Sequence, residues 1–201
     1  MLLRVHPENV ELRKIRTVVD TLRKGGVVIY PTDTVYGIGC DLYNPKAMMR
    51  IAQIRGLNPK KAKFSLICSD MSMVSEYTHQ LSNDIFKTMK QYLPGPVTFI
   101  VKSNNNVPKV FKNKRKTIGI RIPDNNITLA IVEELGHPIL NASIVVDDEI
   151  QEYLTDPEEI YETYRKQVDL VIDGGLGGSD PSAVVDCTGD IFEVIRGEID
   201  G

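Results

Sequence analysis

The sequence predicts an α/β protein with a single domain, residues 1–201, in which a twisted mixed sheet is flanked by helices. Helical and strand patterns alternate along much of the chain, which is typical of α/β folds. Short apolar runs bounded by glycine or proline indicate buried strands. Some connections between these runs are too short for the crossovers that parallel strands need, so the sheet should be mixed.

The first predicted helix covers residues 8–24, where apolar residues recur at helical spacing and Gly25 and Gly26 provide a stop. The apolar run 27–30 predicts a strand covered on both faces, which ends at Pro31. A second helix should begin at Pro45, because proline is favoured at the first helical position.

The remaining elements rest on the same kinds of pattern. Further helices are predicted over residues 81–92 and 125–135. Further strands are predicted over residues 64–68, 97–101, 117–122, 139–146, 168–172, 183–187 and 191–195.

The composition is that of an ordinary globular protein, with 42% hydrophobic and 25% charged residues. Three cysteines without a C-x-x-C pair argue against a disulfide framework or a thiolate zinc site and favour the reducing cytoplasm. The three histidines lie far apart, so no protein-bound metal is expected. No apolar run approaches the roughly 18 residues of a membrane span, so no membrane partner is expected.

Charge is unevenly distributed although 24 Lys and Arg against 27 Asp and Glu leave a net charge of only −3. Residues 43–69 carry six basic and no acidic residues, and residues 85–123 carry nine basic and no acidic residues. Residues 147–169 carry nine acids. The two basic stretches either form one positive face or are two separate solvated segments.

Two loops are candidates for ligand binding. The segment Pro-Thr-Asp-Thr-Val-Tyr-Gly at residues 31–37 follows a buried strand, where ligand sites on open sheets are common, but it could also be a turn capped by Thr32 and Asp33. The glycine-rich residues 174–179 could cradle an anion or form a tight loop between strands.

The segment 31–37 closely resembles the Pro-Thr-(Glu/Asp)-Thr-x-Tyr-Gly signature of the YrdC/YciO superfamily. Later segments resemble further signatures of that family in the same order. They are Pro-Gly-Pro-Val-Thr at 94–98, Thr-Ile-Gly-Ile-Arg-Ile-Pro at 117–123, Pro-Ser-Ala-Val-Val-Asp at 181–186 and Arg-Gly at 196–197.

The resemblance implies a YrdC-like domain with a basic concave face that binds double-stranded RNA or tRNA. Well-understood members make threonylcarbamoyl-AMP from L-threonine, bicarbonate and ATP, release pyrophosphate, and thereby supply a tRNA adenosine modification. ATP would be a substrate and would bring Mg²⁺ on its phosphates. The partners would then be L-threonine, ATP and RNA, and the protein would be a monomer or homodimer.

The resemblance also assigns residues, position by position. The threonine and bicarbonate end would involve Thr32, Thr34, Tyr36, Arg121 and Ser182, with Arg121 pairing with the threonine carboxylate. The nucleotide would contact Arg55, Thr117, Ser143 and Arg196. RNA would contact Lys112, Lys114, Arg115 and Lys116. No catalytic side chain is assigned, because positioning and charge neutralisation suffice for this chemistry.

The sequence departs from the synthase pattern at two phosphate-binding positions. The Lys-x-Arg pair of synthases corresponds to Arg55-Gly56-Leu57, and their Ser-x-Asn corresponds to Ser143-Ile144-Val145. Leu57 and Val145 cannot hold a phosphate, and the surrounding sequence looks closer to the YciO branch. The sequence thus predicts a synthase-like protein or, alternatively, a YciO-type RNA- or nucleotide-binding protein without synthase activity.

Overall fold

A computed structural model describes residues 1–58, 64–109, 116–143, 153–189 and 191–199. The strands are β1 Leu2–Arg4, β2 Val28–Tyr30, β3 Gly37–Asp41, β4 Ser65–Ile67, β5 Val97–Lys102, β6 Thr117–Arg121, β7 Ile139–Ser143, β8 Leu170–Asp173, β9 Ala183–Asp186 and β10 Glu193–Arg196. The helices are α1 Leu12–Arg23, α2 Pro45–Ile54, α3 Met71–Tyr77, α4 Asn83–Tyr92, α5 Asn126–Leu135 and α6 Pro157–Tyr164.

All ten of these strands form one sheet in the order β1-β8-β2-β3-β7-β4-β6-β5-β9-β10. The sheet contains parallel pairs such as β4 with β6 and antiparallel pairs such as β3 with β7. The predicted single-domain mixed sheet is therefore confirmed.

The sequence signals for most elements act as expected. The apolar stripe of α1 is fully buried, and Pro45 is the first residue of α2. Side chains of Asn44, Asp70 and Ser82 cap helix N-termini by accepting backbone N–H bonds. The sequence did not predict β1, β3, α3 or α6, and β3 replaces part of an expected loop.

The two faces of the sheet pack differently. Helices α2, α3, α4 and α6 cover one face in a large apolar cluster that includes Phe99 and Leu66. Helices α1 and α5 cover only part of the other face, over Tyr30, Ile67 and Ile139. Ile100 of β5 lies on this second face, is only half-buried and belongs to neither buried cluster. Beyond Ile67, none of the described helices packs on the region of this second face from β4 to β9, which is termed the open face.

His137 and Asp41 form an ion pair at the end of β3, with Nε2 and Oδ1 3.5 Å apart. Burial acts to lower the pKa of His137, but its hydrogen bonds to Asp41 and the Pro138 carbonyl outweigh burial and raise the pKa. Burial acts to raise the pKa of Asp41, but the hydrogen bonds that it accepts from His137 and from the Tyr43 backbone outweigh burial and lower the pKa. The nearby positive charge of Arg23 adds to the lowering of the Asp41 pKa and weakly opposes the rise of the His137 pKa.

This pair should make stability depend on pH. Protonated His137 stabilises the fold below about pH 6.5, the pKa of an unfolded histidine, and this contribution disappears as pH rises through the folded-state pKa. The Asp41 contribution exists above about pH 4 and is lost as pH falls through its lowered pKa. Urea unfolding should therefore show a larger stability gap between wild type and His137→Gln at pH 5.5 than at pH 8. An equal gap at both pH values would contradict the ion pair.

All three cysteines, Cys40, Cys68 and Cys187, are free and buried. Burial raises the pKa of the Cys40 thiol to about 12 and that of Cys187 to about 11. These thiols therefore pack as small apolar groups and are poor nucleophiles near neutral pH. The prediction of no disulfide framework is confirmed.

Candidate functional site

The loop after β2 is held in place at both ends. Thr128 is fully buried in α5, and its hydroxyl donates to the Pro31 carbonyl at 2.5 Å. The Thr32 hydroxyl donates to the Val35 carbonyl at 2.7 Å and accepts the Thr34 N–H at 3.0 Å. Thr32 thus caps a turn, as one of the two sequence interpretations proposed, and the two threonine hydroxyls lie 3.2 Å apart.

Asp33 leaves this turn and forms an ion pair with Arg121, the last residue of β6. Arg121 Nη2 donates to Asp33 Oδ1 at 2.5 Å, and the side chains are only 6% and 13% exposed. Burial lowers the pKa of Arg121, against the attraction and hydrogen bond of Asp33. The sequence predicted Arg121 as a site residue but missed Asp33, because its partner lies 88 residues away.

A chain of buried hydrogen bonds crosses the second face beside this pair. The Tyr30 hydroxyl donates to Asn141 Oδ1 at 2.5 Å, and Asn141 Nδ2 donates to the Ser65 hydroxyl at 3.1 Å. Gly37 and Gly39 of β3 make room for the Tyr30 ring, because a Cβ at Gly39 would lie 2.8 Å from Tyr30 Cε1. Only the strand pairing reveals these residues as part of the site.

Ser182 and Arg196 meet at the far side of the open face. Arg196 donates from Nε and Nη2 to the Ser182 carbonyl at 3.1 and 2.8 Å, and the Ser182 hydroxyl lies 2.9 Å from that of Thr98. Arg196 is also close enough for its charge to lower the pKa of Arg121, although burial is the main cause. The structure thus brings Arg121, Ser182 and Arg196 together.

Strand register places the other predicted nucleotide residues. Ser65 pairs with both Asn141 and Gly119. Ser143, two residues after Asn141, and Thr117, two residues before Gly119, therefore flank the start of β4 on the same sheet face. Arg55 follows α2, which packs on the opposite face. The described contacts do not bring Arg55 to the open face, so its expected convergence with Arg121 and Arg196 is not shown. Val145 lies outside the described residues.

Tyr36, which the resemblance assigned to the threonine and bicarbonate end, contacts the glycine-rich loop. Its ring is fully buried, and its hydroxyl donates to the Gly175 carbonyl at 2.6 Å and accepts the Gly174 N–H at 3.2 Å. Burial raises the pKa of this phenol to about 12. Tyr36 therefore holds the glycine-rich loop against the 31–37 segment, and its contact with a substrate stays a prediction.

The glycine-rich loop belongs to the connection 174–182 between β8 and β9, and six other strands lie between these two in the sheet. The connection therefore crosses the sheet, and the predicted tight loop between strands is wrong. The Gly177 N–H donates to the Thr155 carbonyl and the Gly178 N–H to the Thr34 carbonyl, both at 2.8 Å. A Cβ at Gly177 would lie 2.7 Å from the Tyr36 ring. Because these N–H groups bond within the fold, they are not directed at an anion.

Replacing Tyr36 by phenylalanine should release this loop. Loss of the hydroxyl leaves the Gly174 N–H and the Gly175 carbonyl without their phenol partner, a cost of about 1–2 kcal/mol. Hydrogen exchange should become faster at Gly177 and Gly178. The matched control Tyr43→Phe removes only the contact with the Tyr77 hydroxyl and should leave that exchange unchanged. Equal exchange in wild type and Tyr36→Phe would contradict the clamp.

The predicted basic concave face is not confirmed. Lys46 and Arg50 on α2 and Lys87 on α4 belong to helices that pack on the opposite sheet face from Arg121. Arg50 is paired with Asp169, and Arg121 is buried against Asp33. Among the described residues, the bases of the acid-free stretches thus lie on both sides of the sheet. Of the predicted RNA contacts, Lys116 is exposed, and Lys112, Lys114 and Arg115 lie outside the described residues.

No helix in the described part of the chain is both long and apolar enough to cross a bilayer. Across the same residues, no group of three or more His, Cys, Asp or Glu side chains is arranged to hold a metal ion.

The fold and site define an α/β protein with a partly uncovered sheet face, lined by hydroxyls and two arginines. Residues 20–197 match the Sua5/YciO/YrdC family model, described as "Telomere recombination". The chain belongs to this family, as its sequence motifs predicted.

Individual relatives fall into two groups. YciO of Escherichia coli K12, named an uncharacterized protein, is 44% identical over 96% of this chain and 92% of its own length. Its crystal structure matches with a TM-score of 0.92 over 98% of this chain and 94% of the other. A threonylcarbamoyl-AMP synthase of Halorhodospira halophila is 26% identical over 82% of this chain and 85% of its own length. P. abyssi Sua5, solved with L-threonine, has a TM-score of 0.89 and 25% identity over 98% of this chain and 57% of the other.

Proposed function

We propose that this protein binds L-threonine and ATP and joins them, with bicarbonate, into threonylcarbamoyl-AMP, with release of pyrophosphate. The observation that carries the proposal is the buried Arg121, held beside the 31–37 turn at the edge of the open face. A buried guanidinium is well suited to bind a carboxylate. A related structure containing L-threonine and relatives named threonylcarbamoyl-AMP synthases support the same substrate.

The reaction needs positioning more than covalent catalysis. Bicarbonate takes up a proton and loses water to give CO₂. The threonine amine adds to the carbon of CO₂ and loses a proton, which gives a carbamate. A carbamate oxygen then attacks the α-phosphorus of ATP, and the bond from this phosphorus to the bridging oxygen breaks as pyrophosphate leaves. In this proposal Arg121 orients the threonine carboxylate, while Thr117, Ser143 and Arg196 contact the nucleotide. Mg²⁺ would arrive on the phosphates of ATP.

Leu57 favours a second candidate, a YciO-type protein that binds RNA or nucleotide without synthase activity. Leu57 is half-buried and its N–H donates to the Ala52 carbonyl at the end of α2, so its side chain offers no phosphate ligand. A lost charge-assisted contact to phosphate weakens binding by about 1.5–3 kcal/mol. The relatives at 42–44% identity carry no synthase name.

The decisive experiment incubates the full chain with L-threonine, bicarbonate and Mg-ATP and measures pyrophosphate and the adenylate product. An authentic threonylcarbamoyl-AMP synthase is the positive control. Threonine-dependent pyrophosphate release supports the synthase proposal, and folded protein without product rejects it. Leu57→Arg should tighten ATP binding about tenfold or more if the missing contact is what weakens it.

RNA binding is tested separately by its salt dependence. Reversal of Lys112, Lys114 and Lys116 to glutamate should weaken tRNA binding and flatten the plot of log affinity against log salt. The matched control reverses three lysines of α2 and α4, the helices that cover the sheet face opposite to Arg121: Lys46, Lys87 and Lys90. Equal effects of the two triple variants would reject the assigned RNA surface.

A further inference from the structure

The Asp33–Arg121 pair is only half satisfied. Asp33 Oδ1 accepts from Arg121 Nη2, but Asp33 Oδ2 and Arg121 Nε have no hydrogen-bond partner within the described residues, and both atoms are buried. A buried polar atom without a partner costs the full desolvation of that atom, and the cost is larger for charged groups. The pair thus contains one acceptor and one donor that the fold itself does not use.

The location of these two atoms restricts what could satisfy them. Asp33 is in the turn between Thr32 and Thr34, whose hydroxyls already bond within the turn. Arg121 is on the sheet below that turn, close to the Tyr30 ring, whose hydroxyl is committed to Asn141. A ligand that satisfies both atoms presents a hydrogen-bond donor to Asp33 and an acceptor to Arg121, side by side. A cation and an anion fit these two charged groups best, because charge-assisted hydrogen bonds are the strongest.

An α-amino acid has this arrangement, because its ammonium and carboxylate groups are on adjacent carbon atoms. We propose that Asp33 is a binding residue for the ammonium group, so that Asp33 and Arg121 together recognise the zwitterionic head of an α-amino acid. The proposal rests on the proposed function for the identity of that amino acid as L-threonine. It adds a specificity that Arg121 alone lacks, since a guanidinium accepts any carboxylate.

Asp33 thereby has two roles. Without an amino acid it holds Arg121 in place, and with one it retains the Arg121 bond through Oδ1 while Oδ2 accepts from the ammonium. The four charges then alternate in sign, which stabilises the ligand in a partly dehydrated site. Compounds that lack either charge leave one buried group unsatisfied and should bind much more weakly.

Calorimetric titration with three ligands measures how much the ammonium and the carboxylate of the ligand each contribute to binding. They are L-threonine, its α-hydroxy analogue 2,3-dihydroxybutanoate, which lacks the ammonium, and threoninol, which lacks the carboxylate. Wild type should bind each analogue about tenfold to a hundredfold more weakly than threonine. Asp33→Asn should lose threonine affinity by a similar factor but should bind 2,3-dihydroxybutanoate no more weakly than wild type does.

The matched control is Asp41→Asn, which removes the carboxylate paired with His137 at the other end of β3. It should bind threonine as wild type does. Circular dichroism and urea unfolding confirm that each variant is folded. If Asp33→Asn does not fold, the wild-type preference for threonine over its α-hydroxy analogue still tests the proposal.

The outcomes distinguish this inference from the proposed function. If Asp33→Asn binds threonine as wild type does, or loses both acidic ligands equally, Asp33 does not bind the ammonium and only the proposed function survives. If wild type binds a different amino acid with the same dependence on Asp33, the inference stands and threonine is the wrong substrate. If none of the twenty amino acids binds, both are overturned.

Discussion

Replacing Arg121 by methionine should lower the free energy of unfolding by about 3 kcal/mol. The physical reason is that the Asp33 carboxylate, only 13% exposed, would lose its partner while it remains largely out of water. Urea unfolding monitored by circular dichroism measures the loss. The same variant should lose threonine binding.

Two comparisons make this prediction specific to the buried pair. Arg16→Met breaks the ion pair with Glu134, in which the arginine side chain is 63% exposed, and should cost less than about 1 kcal/mol. The double variant Asp33→Asn/Arg121→Met removes both charges and should recover much of the stability lost in Arg121→Met. A double variant less stable than Arg121→Met would contradict the argument that the uncompensated charge is the cause.

Replacing Gly39 by alanine should lower the free energy of unfolding by about 2–3 kcal/mol, because overpacking a buried strand forces its neighbours to move. The added Cβ would lie 2.5 Å from Ile139 Cγ2, 2.8 Å from the Tyr30 ring and 3.0 Å from the Leu140 carbonyl. The Tyr30 ring cannot move away without disturbing its 2.5 Å hydrogen bond to Asn141. Urea unfolding measures the change.

Gly189→Ala is the control for this substitution, because the nearest atom to its added Cβ is the Ile191 carbonyl oxygen at 3.9 Å and Gly189 is exposed. Its stability should remain within about 0.5 kcal/mol of wild type. If Gly39→Ala were equally stable, the close packing of β2 on β3 would be contradicted. Gly39→Ala should also disturb the site, because Tyr30 is hydrogen-bonded to Asn141 and lies close to Arg121.

Prediction from the sequence succeeded where local patterns are enough. The apolar stripe of α1, the apolar runs of β2 and β8 and the proline at the start of α2 each determine their element through nearby residues. Strand β3 was missed because its glycines are unfavourable in strands. They leave room for Tyr30 of β2 and for Ile139 and Asn141 of β7. Helix α6 was missed in an acidic segment, although Asp156 and Pro157 carry the signals of a helix start.

The distribution of charge likewise could not be predicted from the sequence alone. The acid-free stretches are real features of the sequence, but helices α2 and α4, which carry some of their bases, cover one face of the sheet, whereas Arg121 lies on the other face. Arg121 was counted as part of a positive surface, yet tertiary contacts bury it against Asp33. A linear count of charges therefore does not determine a surface potential.

The sequence by itself determined the α/β class, the mixed sheet, the family and the candidate residues Thr32, Arg121, Ser182 and Arg196, because these depend on local periodicity and on short motifs. Only the tertiary structure revealed that Asp33 pairs with Arg121 and that the Tyr36 hydroxyl clamps the glycine-rich loop. The first contact joins residues 88 apart and the second residues 139 apart. Such contacts arise from strand order and register, which bring distant segments together, and no local pattern encodes them.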